Sequence, residues 1–377
     1  MGKIDSLYYH GYEYDESFNE SLRMQWHLTA KCDQKCKHCY MLSDKMYKPQ
    51  INSQMSTEQS FKLIDDFYLL VKKIGVTGSI FLTGGDPILS HNFWEILEYV
   101  QGKYSKMIQI GCIMGNSYHI DNKSAVRLVN LGIRNYQISL DGLELSHDKM
   151  RKTGSFKDAL RALKLLHEVG INTVVMATVH KDNVNEIIDL YKFLTTLEYV
   201  DAFAFDKLIP IGNGKALAND GSVSNIELRD MLLKIFKYEV TVSERRILVY
   251  KDCLRLWKPL FYELGLSNPF NKESKRYYGT CFAGSGSFSV LADGTMLACR
   301  RLDIIAGKYP EETLEEIYLH SKLFKALRAS SDRSGCNCVL QYHCNGCNAL
   351  KYSTNGIIDG RDPSCWFDEK KHSFGNS

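Results

Sequence analysis

Met24-Gln25-Trp26-His27-Leu28-Thr29-Ala30-Lys31-Cys32-Asp33-Gln34-Lys35-Cys36-Lys37-His38-Cys39-Tyr40 joins a β-prone run directly to three closely spaced thiols. Residues 24–30 read as a short strand, and the cysteines behind it form a CxxxCxxC loop. A strand that ends in a chemically loaded loop is the first half of a βα unit, and the chain that follows repeats the pattern.

Further β-rich runs lie at 77–82, 107–113, 133–140, 171–179 and 201–209, separated by segments of helical period at 57–74, 91–102, 121–131, 155–169 and 183–198. Ser56, Thr57 and Glu58 mark a helix start, and Gly75, Gly132 and Gly170 stand where C-terminal caps are expected. Alternating strand and helix implies right-handed crossovers and a parallel sheet. The fold class expected is α/β, a partial (β/α)6 TIM-type barrel whose working end is the C-terminal edge of its strands. Beyond Pro210 the pattern changes: 211–215 is a turn, 223–266 reads as helical around a polar connector at 241–246, and 272–276 is a polar linker. From Cys281 the elements are short and rich in Gly and Cys, too poor in apolar area to fold alone and expected to depend on metal. The expected divisions are an extension over 1–23, the barrel over 24–210, a bridging helical segment over 211–280 and a small cysteine-rich domain over 281–377.

At roughly 150 residues per domain, 377 residues suit two or three units, or one barrel with an appendage. The 47 basic against 44 acidic residues leave +3, which speaks against a nucleic-acid binder resting on bulk positive charge. No apolar run nears the ~18–20 residues of a membrane span. Asp5, Glu13, Asp15, Glu16 and Glu20 leave no apolar core for a signal peptide. A cytoplasmic protein without membrane or nucleic-acid partners is expected. Twelve cysteines are then too many to leave idle, because a reducing compartment disfavours disulfides and turns attention to metal or redox chemistry. Three fall in the first loop, and Cys281, Cys299, Cys336, Cys338, Cys344, Cys347 and Cys365 group toward the end. Cys112 and Cys253 stand apart as small core hydrophobes.

Chemistry leaves two readings of the first group. Structural zinc takes paired thiolates from two places, whereas here three come from one loop, and His38 sits awkwardly between two of them. An iron–sulfur cubane held by three thiolates leaves one iron open to a ligand.

CxxxCxxC followed by the aromatic Tyr40, at the end of the first strand of a partial barrel, resembles the radical S-adenosylmethionine (radical SAM) superfamily over about 24–210. The resemblance implies a [4Fe–4S] cluster on Cys32, Cys36 and Cys39 whose open iron chelates the amino and carboxylate groups of SAM. One electron then cleaves the sulfonium, and the 5′-deoxyadenosyl radical removes hydrogen from an unactivated C–H bond; the protein orients the cofactor and excludes solvent. Thr83-Gly84-Gly85-Asp86-Pro87 resembles the family's Gly-Gly-Glu-Pro motif for the SAM amino group, with Asp in place of Glu. Elsewhere Gly-Gly-Asp-Pro is simply a turn. Its glycines are expected to admit backbone close to the ligand. Ser139 and Asp141, with His147, Asp148 and Arg151 following, resemble the segment that binds the SAM carboxylate and ribose. Asn116 stands, within Met114-Gly115-Asn116, where many members have Thr-Asn-Gly. Tyr40 and Leu208, the latter placed on the sixth strand, complete the implied cofactor contacts, although a leucine there is equally a core residue.

Alone, Cys336-x-Cys338 and Cys344-x₂-Cys347 suit zinc as well as iron. With Cys281, Gly294-x₄-Cys299 and Cys365 beside a radical SAM barrel they resemble a SPASM domain, which carries two auxiliary [4Fe–4S] clusters in enzymes that modify peptides and proteins. The family's usual CxxC-x₅-CxxxC is here CxC-x₅-CxxC. By analogy Cys281, Cys299 and Cys347 bind the first auxiliary cluster, and Cys336, Cys338, Cys344 and Cys365 the second. The first is one thiolate short, which invites a substrate group; alternatively both clusters only shape the fold and relay electrons.

The expected function is a radical SAM oxidoreductase acting as a peptide maturase, through cross-linking or oxidation of a peptide or protein side chain. The segment ahead of Cys32 is too short for a peptide-recognition domain, which leaves recognition to the barrel, the 211–280 segment or a separate recognition protein. Similar enzymes act on tetrapyrroles or other small molecules, and an iron–sulfur electron carrier or zinc scaffold is the non-enzymatic reading, against which the SAM-like segments argue. Lys31, Lys35 and Lys37 either attract a flavodoxin- or ferredoxin-type electron donor or form a solvated face. The catalytic base stays unnamed, Asp206 being indistinguishable from a structural carboxylate.

Overall fold

Leu22, Met24, Trp26 and Leu28 alternate along β1 (Ser21–Thr29) and bury one face of it, leaving Arg23 and Gln25 on the other. In the computed structural model the residues described are 21–41, 48–241, 248–250, 254–266, 281–329, 336, 338–340, 344 and 346–367. The N-terminal tyrosines, Cys253, most of the 241–246 connector and the 272–276 linker lie outside them.

Parallel partners follow in order: β2 (Thr77–Gly84), β3 (Ile108–Met114), β4 (Asn135–Ser139), β5 (Asn172–Val179) and β6 (Ala202–Lys207). The crossovers are α1 (Thr57–Ile74), α2 (Phe93–Tyr104), α3 (Asn122–Asn130), α4 (Glu144–Met150) with α5 (Ser155–Glu168), and α6 (Ile187–Thr195). This is the α/β partial barrel read from the periodicity. The bounds of α1 are those read because its punctuation is explicit: Ser56 and Gln59 form a capping box, and Gly75 closes the helix at φ 75°. Two others shift for local reasons. Asn92 spends its side chain on Ser60 Oγ at 2.9 Å, so α2 begins only after it. Asn183 donates to the Asp141 and Thr178 carbonyls at 2.6 and 2.9 Å, holding its segment in a turn ahead of α6.

Past β6 come α7 (Gly214–Asn219), α8 (Asn225–Thr241), β7 (Leu248–Tyr250) and α9 (Leu254–Glu263). The helical reading of 223–266 thus gains a strand, since β7 pairs in parallel with β6. The final stretch supplies β8 (Ser287–Val290), β9 (Thr295–Leu297), β10 (Ile305–Lys308), α10 (Leu314–His320), α11 (Lys322–Ala329) and α12 (Asn348–Asn355). The described strands form one ten-stranded sheet in the order β10-β9-β8-β1-β2-β3-β4-β5-β6-β7. Among the described residues no helix is long and apolar enough to cross a membrane.

The stretch expected to be too poor in apolar area to fold alone is not left alone: 287–329 packs on the barrel. β8 pairs in parallel with the outer edge of β1. Phe288, Val290, Met296, Ile317 and Phe324 sink into the barrel's own core, where the Phe288 ring meets Phe67 edge-on at 6.0 Å. Short strands are sufficient here because an existing edge is waiting for them. Phe288→Ala is therefore expected to cost about 3–5 kcal/mol. Denaturant unfolding followed by far-UV circular dichroism should show one shifted transition; a C-terminal transition splitting from an unmoved barrel transition would contradict the shared core.

Candidate functional site

The loop after β1 alternates as a strand would: Lys31, Asp33, Lys35 and Lys37 are exposed while Gln34 and Cys36 are buried. Cys39 N–H donates to the Cys36 carbonyl at 3.1 Å, which turns Cys39 back beside it. Burial pushes the Cys36 thiol up to about 11, against the nearby Arg151 cation, and Cys39 and Cys32 lie close enough to add to the rise. Burial likewise raises Cys32, opposed by the Asn116 amide, whose Nδ2 donates to its sulfur at 3.3 Å. The structure thus gathers three thiols at the C-terminal end of β1.

Gly84 and Gly85 explain how β2 approaches that loop. A Cβ on Gly84, at φ 138°, would stand 2.1 Å from the Thr29 carbonyl oxygen, and one on Gly85 would stand 2.2 Å from that of Lys31. Backbone N–H groups of Gly85 and Asp86 donate to the same two carbonyls at 2.8 Å. These glycines thus let β2 come into direct contact with the backbone that leads into the thiol loop. Pro87 follows, buried at the start of a short 3₁₀ turn. Asp86 is buried; one carboxylate oxygen accepts from Asn116 N–H at 3.4 Å and the other has no partner, and burial pushes its pKa up to about 6.

Opposite lies Asp141, just after β4 and 1% exposed. It accepts from Arg151 Nε at 2.6 Å, Arg151 Nη2 at 3.3 Å and Thr178 N–H at 2.9 Å, and His38 Nε2 lies 3.6 Å away. Burial alone would raise this carboxyl; Arg151 and His38 hold it well below the usual range. Arg151 Nη1 also donates to the Gln34 side-chain Oε1 at 3.4 Å and to Cys36 Sγ at 3.7 Å, binding the pair to the thiol loop. Burial lowers His38 to about 4, outweighing the adjacent carboxylate, and lowers His147 to about 4, whose Nδ1 accepts from Asp141 N–H at 3.2 Å. Ser139, Gln34, Gly115, Asn116, His147 and Arg151 line one small cleft.

Three expected residues have partners within the chain. Asn116 lines the cleft while its backbone N–H and side-chain amide engage Asp86 and Cys32. Leu208 lies one residue past β6, its N–H bound to the Val179 carbonyl at 2.8 Å. Asp148 accepts from the N–H groups of Gly154 and Phe156, at 2.5 and 2.9 Å, and starts α5. The spacing of single residues missed Gln34, Thr178 and Asn183, which reach the site only through tertiary folding.

Tyr40 links this site to the C-terminal cysteines. Its ring lies edge-on to the buried His27 at 6.1 Å, and burial raises its pKa, with Arg300, Cys39 and Cys299 all within electrostatic reach. Cys39 and Tyr40 also pack on Leu291 and Leu297 of the β8–β9 hairpin. Cys299 follows β9, and Cys281 precedes β8. Cys336 and Cys338 approach to 3.6 Å between sulfurs. That contact, then burial, raises Cys338, with Cys344 nearby. Cys365, pushed up to about 12 by burial, is also near Cys344, so Cys336, Cys338, Cys344 and Cys365 gather in one place. Lys258 of α9 lies beside Cys344, and burial lowers it to about 8. Cys347 instead caps α12, its N–H donating to Asp362 at 2.9 Å. Cys112 is buried on β3 as a core residue.

Among the described residues no three His, Cys, Asp or Glu side chains close on a single ion; a cubane spreads its thiolates over separate irons. The first donor set fits such a group. Three thiols share one loop, hydrogen-bond donors from Asn116 and Arg151 point at two of the sulfurs, and a buried Asp86 oxygen without a partner stands ready for a cation.

Residues 26–194 match the radical SAM superfamily, and residues 281–348 match SPASM, an iron–sulfur cluster-binding domain. The chain is 26% identical over 353 residues to an AdoMet-dependent heme synthase of Nitratidesulfovibrio vulgaris, covering 92% of each. It is 26% identical over 364 residues to the mycofactocin maturase MftC of Mycolicibacterium smegmatis, covering 94% of this chain and 84% of that one. Streptococcus suis SuiB bound to its precursor peptide SuiA shares the fold at a TM-score of 0.70 and 18% identity, over 92% of this chain and 76% of that one.

Replacing Arg151 by Met leaves Asp141 buried without its cation and should cost about 3–5 kcal/mol at pH 7. In the parent chain the depressed Asp141 pKa adds stability above the ordinary carboxylate value of about 4, stability that is lost as pH falls. The gap between the two proteins in urea titrations should therefore be widest above about pH 5 and narrow toward pH 3. A gap independent of pH would refute the role of the ion pair.

Proposed function

We propose that this chain, built from a radical SAM domain and a SPASM domain, modifies a peptide or protein side chain by C–H abstraction, leaving a cross-link or an oxidised residue. The observation that carries the proposal is the meeting of two thiol groups at one barrel mouth, with Tyr40 beside both Cys39 and Cys299. Similarity over nearly full length to a peptide maturase and the shared fold with a peptide-bound enzyme support the same reading.

In this reading Cys32, Cys36 and Cys39 hold the SAM-binding [4Fe–4S] cluster, which when bound supplies the electron that releases the 5′-deoxyadenosyl radical from SAM. The chain's own residues orient the cofactor. Asp86, buried and half-satisfied, takes the SAM ammonium, with Gly84, Gly85 and Pro87 fixing its place against the thiol loop. Arg151 and Ser139 face the carboxylate and ribose, and Asp141 holds Arg151 in position. Tyr40 and Leu208 flank the adenine. Cys281, Cys299 and Cys347, and separately Cys336, Cys338, Cys344 and Cys365, hold two auxiliary clusters; the first, short of one thiolate, is where a substrate group docks. A second reading, action on a tetrapyrrole, is favoured by the heme-synthase relative aligned over 92% of both chains.

Iron and sulfide assays of the anaerobically reconstituted chain should give about twelve of each, at four per cubane. A value of about four would confine clusters to the first loop. Incubated with SAM and dithionite, the chain should release 5′-deoxyadenosine, and Cys36→Ala should release none. A peptide encoded beside the gene should raise that release and change in mass. Stimulation by an iron porphyrin, with peptides inert, would replace the peptide reading by the tetrapyrrole one.

A further inference from the structure

One buried carboxylate in the C-terminal arm holds the backbone of two cysteines that the proposed function assigns to different sets. Asp362 Oδ2 accepts from Cys347 N–H at 2.9 Å, and its Oδ1 accepts from Ser364 N–H at 2.8 Å. Its own carbonyl accepts from Cys365 N–H at 3.0 Å. Cys347 stands at the start of α12 and packs into the main core. Cys365 packs instead with Cys336, Cys338, Phe367 and Tyr262 in a separate cluster, where the Cys336 and Cys338 sulfurs lie 3.6 Å apart. Several thiols converging in this way are a donor set that suits an iron–sulfur group.

Gly346 shows how tightly the neighbouring thiol segment closes on Asp362. At φ 65°, a Cβ on this residue would stand 2.7 Å from Asp362 Cβ and 3.2 Å from Cε of the buried Lys351. Glycine is required there twice over, by its backbone conformation and by its neighbours. Cys365 is held from the other side as well. Asn225 of α8 and Arg361 donate to its carbonyl at 3.1 and 3.3 Å.

We propose that Asp362 is a positioning residue that fixes the two C-terminal thiol sets against each other, so that the groups bound on them keep one separation. The proposal rests on the reading that these thiols hold two auxiliary clusters. A carboxylate suits the place better than an amide. Two backbone N–H groups meet its two oxygens, whereas Asn would offer one oxygen and one NH2, leaving Cys347 or Ser364 facing a donor. Groups that orient a metal ligand without touching the metal are worth roughly 10–100-fold in metal affinity when removed.

Iron release to bathophenanthroline from the anaerobically reconstituted chain tests the role. Of about twelve irons in the parent, about eight would sit on the C-terminal thiols, at four per cubane. In Asp362→Asn this portion should leave about tenfold faster. The remainder, marked by an electron paramagnetic resonance signal that changes when SAM is added, should leave at the parental rate. Magnetic coupling between the two reduced auxiliary clusters should also change, which a merely structural carboxylate would not cause. Gly346→Ala presses on the same carboxylate from the opposite side and should reproduce both effects, giving a second route if the first variant does not fold. Asp359→Asn removes an exposed carboxylate three residues upstream and should behave as the parent does. Parental release and coupling in both Asp362→Asn and Gly346→Ala, or equal acceleration at all sites, would overturn the role of Asp362 alone. A parent holding about four irons would overturn the cluster reading, and the role of Asp362 with it.

Discussion

A carboxylate buried at the end of β4 cannot stay ionised without a cation and donors around it, and Asp141 obtains both from neighbouring elements. Arg151 comes from the end of α4 and Thr178 N–H from β5, while His38 of the thiol loop lies against the same guanidinium, its Nε2 3.3 Å from Arg151 Nη2. The backbone carbonyl of Asp141 in turn holds Asn183 and shapes the entry to α6. One charge thereby fixes the relative positions of β4, β5, α4 and the three thiols. Because removal of either partner strands the other in a low-dielectric interior, this region is stiff, as a site that must orient a reactive cofactor needs to be. The same guanidinium touches Cys36 Sγ, so the network that holds the scaffold also sets the electrostatic surroundings of the thiols.

Glycine performs the matching task on the other side. Gly84 and Gly85 let β2 close to carbonyl contact with the residues leading into the loop, and a methyl group at either would collide with backbone. The loop is thus clamped between a charge network and a close-packed turn, and its outer surface alone is free to carry lysines.

Much of this was legible from residues alone. α1 announces itself through Ser56, Gln59 and Gly75, and the strands through β-prone runs at regular intervals. The cysteine spacing and Gly-Gly-Asp-Pro locate the candidate site without tertiary information. What escaped has a common cause: it depends on partners distant in the chain. β8 is four residues long and becomes a strand because β1 offers an edge. Gln34, Thr178 and Asn183 are ordinary polar residues until Arg151 and Asp141 meet them. The amide of Asn116 reaches Cys32 across 84 residues of chain, a contact that spacing does not encode. β7, three residues long beside a polar connector, carries too little periodicity to separate from its helical neighbours.

The ion pair between Arg301 and Asp206 carries a mechanical meaning. Asp206 lies on β6, and Arg301 belongs to the arm that follows β9, so the pair joins the two flanks of a sheet that never closes by backbone hydrogen bonds. This side-chain tie reaches across the seam where a complete barrel would have its last two strands. The contact joins residues about ninety-five positions apart in the chain, so the stretch that carries Cys299 is fastened to the far side of the sheet by a side chain rather than by backbone pairing.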